Sequence, residues 1–183
     1  MENLYARRNF LKNVALVTSG VALLSPTIVQ AFNTVECPYE GYNPYSQEKS
    51  DLRVSTLFGN HIVVKGKVFD KNNLKELSNA TLEVWHMSPN SSKFRHQAKL
   101  KVNSNGEFNF ITDFPNREQG KFAKVYFKVS TTDRVYFTEL SVTKDNAFIN
   151  EKHFEENKAL GDHRFPTNRL ENNQQTITFN IAV

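Results

Sequence analysis

A chain of 183 residues with a formal charge of +4 and a single cysteine excludes several classes of protein at once. The length fits one main domain, and Cys37 alone cannot form an intramolecular disulfide. Arg7, Arg8 and Lys12 against Glu2 account for half of the excess charge, and no block of like charge follows them, which argues against nucleic-acid binding.

The N-terminus carries Arg7-Arg8-Asn9-Phe10-Leu11-Lys12, a twin-arginine pair followed by Phe-Leu-Lys, and then an apolar stretch from Val14 to Leu24. Val29-Gln30-Ala31 places compact residues at the −3 and −1 positions of a signal-peptidase site. Charged start, short apolar centre and small exit residues predict a twin-arginine signal over 1–31, removed on export to the periplasm or the exterior. The apolar stretch is shorter than the ~20 residues that cross a bilayer. An uncleaved anchor helix is the alternative; cleavage would leave no stable membrane insertion. Thr34-Val35-Glu36 before Cys37 does not fit a lipidation box.

Residues 32–50 are turn-rich and predict an extended arm, with Tyr39, Tyr42 and Tyr45 as anchors. Strand signals follow across 51–183. Ile62 to Phe69 is β-rich, and Ala80, Leu82 and Val84 alternate with polar or amphipathic neighbours. Ala98, Leu100 and Val102 repeat that alternation, which Phe108 and Phe110 resume beyond Asn105-Gly106; the Asn-Gly step predicts a hairpin. Ala123 to Val129, Val135 to Val142 and Ile177 to Ile181 complete about seven strands. The class is all-β, a two-sheet β-sandwich. Most of the fifteen phenylalanines fall on inward phases and are expected in the core. Residues 143–174 break the rhythm and predict a long loop with a helical turn around Glu151 to Leu160, leaving His153 and His163 exposed.

Five segments in order resemble the intradiol ring-cleavage dioxygenases, from about Glu40 to about Val142. Glu40-Gly41, Tyr45 and Lys49-Ser50-Asp51-Leu52 are similar to the opening arm of that family. Gly66-Lys67-Val68-Phe69-Asp70 and Leu77 through Trp85-His86 resemble its paired strands. Asn105 to Thr112 with Pro115, and Ala123 to Val129, resemble the two strands that follow. The resemblance implies a cleft in which two tyrosinates and two histidines hold ferric iron, so that a bound catechol dianion meets O₂ directly.

At the positions of those ligands this chain carries Phe94, Glu118, Lys124 and Tyr126. Phe94 has no donor atom, and Lys124 is cationic unless its pKa falls far. An arginine of the family is matched by Lys121 and a glutamine by Glu139. The expectation is an iron-free relative, with no cofactor and no catalytic residue assigned. Its cleft would be lined by His86, Arg95, His96, Lys121, Lys124, Tyr126 and Glu139. Lys124, Tyr126 and Lys128 share one strand face, which makes such a cleft cationic and suited to a small aromatic or acidic molecule. The plain alternative is a polar sheet face.

No two histidines stand at the spacing that aims both at one metal, and no glycine-rich phosphate loop is present. Serine, histidine and aspartate all occur, but no nucleophile-elbow motif joins them. The enzyme alternative is an aromatic-ring dioxygenase or other oxidoreductase with ferric iron at a reorganised site, which would require His86 and His96, with or without His163, to converge with Tyr126 or a carboxylate. A third reading is an assembly domain that meets a protein partner through apolar patches on the arm or edge strands.

Overall fold

The computed structural model describes residues 36–171 and 174–183. The signal expected over 1–31 and the first residues of the arm lie outside them. Among the described residues there are ten strands: β1 (His61–Phe69), β2 (Thr81–His86), β3 (His96–Lys101), β4 (Glu107–Asp113), β5 (Ala123–Ser130), β6 (Val135–Val142), β7 (Ala147–Ile149), β8 (Thr167–Glu171), β9 (Gln174–Thr178) and β10 (Ile181–Ala182). They form two five-stranded sheets. One runs β3-β2-β5-β6-β7, and its pairs are antiparallel. In the other, β1 pairs with β4 on one side and, in parallel, with β9 and β10 on the other, while β8 pairs with β9.

Alternation along the strands builds the core. In β5, Ala123, Val125, Phe127 and Val129 are buried, while Lys124, Tyr126 and Lys128 face outward. In β1, Ile62, Val64 and Val68 do the same, and Gly66 lets another strand come close. A Cβ on Gly66 would lie 1.8 Å from the Phe179 carbonyl oxygen, so no other residue fits there. Phe179 N–H donates to the Lys65 carbonyl and Lys67 N–H to the Asn180 side chain, which carries the ladder across the break between β9 and β10. Fewer phenylalanines are core residues than alternation predicts: Phe108, Phe110, Phe127, Phe137 and Phe179 are buried, while Phe58, Phe122, Phe148 and Phe165 are exposed.

The Asn105-Gly106 turn forms, with Gly106 at φ +72°, but it does not make a hairpin. β3 pairs with β2 and β4 with β1, so the turn carries the chain from one sheet to the other. Local turn chemistry sets the reversal; Val68 N–H donating to the Gly106 carbonyl selects the far sheet as partner.

The arm laces both sheets together. Lys49 and Gln47 exchange backbone bonds with Lys99 on β3, and Leu52 and Ser50 do so with Ile111 on β4. Both outer edges are thereby partly covered. The long loop expected over 143–174 is mostly ordered, as β7, a short helix α1 (Glu151–Glu156), a 3-10 stretch (Lys158–Arg164) and β8. Asn150 caps α1 by accepting from His153 N–H. Short polar elements of this kind lack the periodicity that marks a strand or helix. Asn157, fully buried, ends α1; its side chain donates to the Tyr136 hydroxyl and accepts from Ala182 N–H, tying the C-terminus to the sandwich. His153 is buried rather than exposed, its ring 4.7 Å from that of Phe179; His163 is exposed.

Candidate functional site

Strand register brings most of the expected residues to the outer face of the antiparallel sheet. Tyr126 on β5 lies between Trp85 on β2 and Glu139 on β6. Lys124 donates to Glu139 at 2.7 Å. Phe94 lies 6.2 Å from the Tyr126 ring, and Glu118 pairs with Lys121 at 2.6 Å beside them. Phe94, Glu118, Lys121, Lys124 and Tyr126 line a hollow of only about 70 Å³.

The arm fills the space above. The Tyr39 ring stacks on Tyr126 with centroids 4.8 Å apart, and Tyr42 packs on Trp85 at 5.1 Å. Trp85 Nε1–H donates to the Glu40 carbonyl at 2.8 Å. A Cβ on Gly41 would lie 2.1 Å from the Phe94 ring, so the arm passes there only because residue 41 is glycine. Lys128 donates to both Glu83 and the Tyr42 hydroxyl, and that hydroxyl donates on to Glu83. Glu83 is thus buried but paired, which lets a charge sit under the arm. Of the three expected anchors, Tyr39 and Tyr42 serve, and Tyr45 is 89% exposed.

His86, Arg95 and His96 do not share this hollow. Trp85 faces outward, so its neighbour His86 must face the other way. His86 is fully buried, with Nδ1 on the Met87 carbonyl at 2.9 Å and Nε2 on the Thr112 hydroxyl at 2.7 Å. Burial pushes its pKa down to about 3, so the ring is neutral. His96, paired in register with His86, stacks on it at 4.7 Å. Its Nε2 meets Asp113 at 2.8 Å and its Nδ1 meets the Ser88 hydroxyl at 2.9 Å. His96 and the exposed Arg95 line a separate cavity of about 680 Å³, together with Ser88, Asp113 and Arg117. The expected cleft is therefore two sites. Ser88 and Asp113 carry no short spacing to mark them in the sequence, because the loop after β2 and the end of β4 bring them to His96 on β3.

The donor set in the hollow does not fit the ferric iron that the resemblance implies. Phe94 offers no atom, Lys124 is engaged as a cation, and Glu118 is exposed beside Lys121. The Tyr126 phenol is pushed up to about 12, first by burial and then by the Glu139 carboxylate, the reverse of what a tyrosinate ligand needs. Among the described residues, no three His, Cys, Asp or Glu side chains are grouped to hold a metal. His86 and His96 face inward while Tyr126 faces outward, so these three do not converge; His96 meets the Asp113 carboxylate instead.

Two sheets in this order, with the arm across their edges, define an all-β sandwich with the fold of the intradiol ring-cleavage dioxygenases. The chain is similar to the dioxygenase domain of a dioxygenase carbohydrate-binding protein fusion from Streptomyces sp. SirexAA-E, with a TM-score of 0.61 and 19% identity over 81% of this chain and 95% of that one. It is also similar to an intradiol ring-cleavage dioxygenase from Tetranychus urticae, at 0.57 and 15% over 80% and 90%. The 3-chlorocatechol 1,2-dioxygenase of Rhodococcus opacus 1CP aligns at 0.53 and 14%, over 80% and 69%. No family model and no curated protein matches the sequence. At these identities the likeness is one of fold.

Proposed function

We propose that this chain is an exported, iron-free module on the intradiol-dioxygenase scaffold that binds a small aromatic or acidic molecule and does not open an aromatic ring. One observation carries the reading: Tyr39 and Phe94 pack against Tyr126 and Lys124 pairs with Glu139, which fills the hollow formed by the positions that the resemblance matches to the family's iron ligands. A catechol would find no room to enter a hollow of about 70 Å³. Fold alone does not fix function, and Phe94, Glu118 and Lys124 at the positions matched to the iron ligands support this reading.

Binding has moved, on this reading, to the neighbouring cavity of about 680 Å³. Its volume lies in the ~300–1,000 Å³ range of small-molecule sites. Phe58 and Phe114 supply apolar wall, and the exposed Arg95 and Arg117 supply positive charge for a carboxylate or phenolate.

The test is ferric iron added to the purified protein, followed by metal analysis and visible absorption. A colourless protein without stoichiometric iron, binding 4-nitrobenzoate in calorimetry, supports the module. A charge-transfer band with about one iron per chain would overturn it and restore the dioxygenase.

A further inference from the structure

The large cavity holds more than a binding surface. Ser88, His96 and Asp113 all line it, and each is less than a tenth exposed. An ionised Asp113 can only accept, so His96 Nε2 carries the proton in their 2.8 Å bond. Nδ1 of a neutral His96 then keeps its lone pair and faces the Ser88 hydroxyl at 2.9 Å. Arg95 N–H donates to that hydroxyl at 3.1 Å, which orients the Ser88 proton toward His96. Asp113 is itself held, by Val54 N–H at 2.9 Å and by His61 Nε2 at 3.2 Å. The neutral His86 stacked on His96 adds no charge that would oppose an imidazolium. A nucleophile bonded to a base, and a base bonded to an orienting carboxylate, is the arrangement that acyl transfer requires, whatever the sequence order of the three.

We propose that Ser88, His96 and Asp113 form an acyl-transfer relay that hydrolyses small esters bearing an anionic group, which Arg95 and Arg117 hold at the cavity mouth. Ser88 Oγ bonds the ester carbonyl carbon as its proton passes to His96 Nδ1. The carbon–oxygen bond to the alcohol breaks, and the leaving oxygen takes that proton. Water then gives a proton to His96 Nδ1 as its oxygen bonds the acyl carbon. Ser88 Oγ leaves and recovers the proton, so ester and water become acid and alcohol without any other reactant.

The experiment treats the folded chain with diisopropyl fluorophosphate and locates the adduct by intact mass and peptide mapping. The expected result is one phosphoryl group per chain, on Ser88 and absent from S88A. Hydrolysis of 4-nitrophenyl hydrogen succinate should fall by about 100-fold or more in S88A and in Asp113→Asn. Near-UV circular dichroism of Trp85 checks that each variant is folded. No adduct on Ser88 in the folded protein, or hydrolysis unchanged in S88A, overturns the proposal. The anion-binding part rests on the module reading and is tested alone by 4-nitrobenzoate binding to the unaltered chain, which requires no acyl transfer.

Discussion

Tyr39 lies on Tyr126, ring centroids 4.8 Å apart and planes inclined by 29°, so a residue of the arm covers the middle of the sheet face. Both phenols are half-buried, and burial raises both above their ordinary pKa, Tyr126 to about 12. Replacing Tyr39 by Ala removes the lid from Tyr126. The expected loss of stability is about 1–3 kcal/mol, from apolar area and the aromatic pair together. Tyr126 should then ionise closer to its usual value of about 10. Urea denaturation and an alkaline absorbance titration check the two parts separately.

Lys124 and Glu139 form an ion pair across β5 and β6, at 2.7 Å. Glu139 is the more buried partner, with 11% of its side chain exposed against 31% for Lys124. Lys124→Met should therefore cost more than Glu139→Gln, because it strands the less solvated charge. A double-mutant cycle read by denaturation should give a coupling of about 1 kcal/mol, discounted for the solvent around Lys124.

The strand phases of β3, β4 and β5 were legible because apolar residues alternate with polar ones along them, whereas β2 and β6 are buried over nearly their whole length. The arm was legible from its tyrosines and turn residues. What alternation could not supply was partnership: Asn105-Gly106 marks a reversal, yet β3 and β4 join different sheets. Glu83 on β2 illustrates another gap, since the distant Tyr42 and Lys128, with Lys99 beside them, cover and pair it. The site was half legible. Phe94, Lys124 and Tyr126 could be placed by order along the chain, whereas Asp113 reaches His96 through tertiary packing that leaves no spacing in the sequence.

The N-terminal segment gives a prediction independent of the fold. Arg7-Arg8 ahead of Phe10-Leu11-Lys12 is expected to direct export of a folded precursor. Replacing Arg7 and Arg8 by Lys keeps the charge but removes the paired guanidinium groups. The precursor should then stay in the cytoplasm, uncleaved, as judged by fractionation and N-terminal sequencing. Mature protein exported at the normal level would rule out the twin-arginine route.

Two buried histidines make the sandwich acid-sensitive. Burial lowers His86 to about 3 and His153 to about 4, from an ordinary value near 6.5. Both rings are neutral in the native state, whereas the unfolded chain binds their protons as the pH falls through about 6.5. The unfolded state holds more protons in that interval, so stability rises with pH there. Their contribution is complete above about pH 6.5 and is lost on acidification, down to about pH 4 for His153 and about pH 3 for His86. Each imidazole should remove about 1.4 kcal/mol per pH unit inside its window. His153→Phe suits a site bounded by Phe179 and Tyr136, at the expense of the bond to Thr138. Urea midpoints between pH 4 and 6.5 should show about half the wild-type histidine slope in this variant. An unchanged slope would mean that His153 is not held neutral in the native protein.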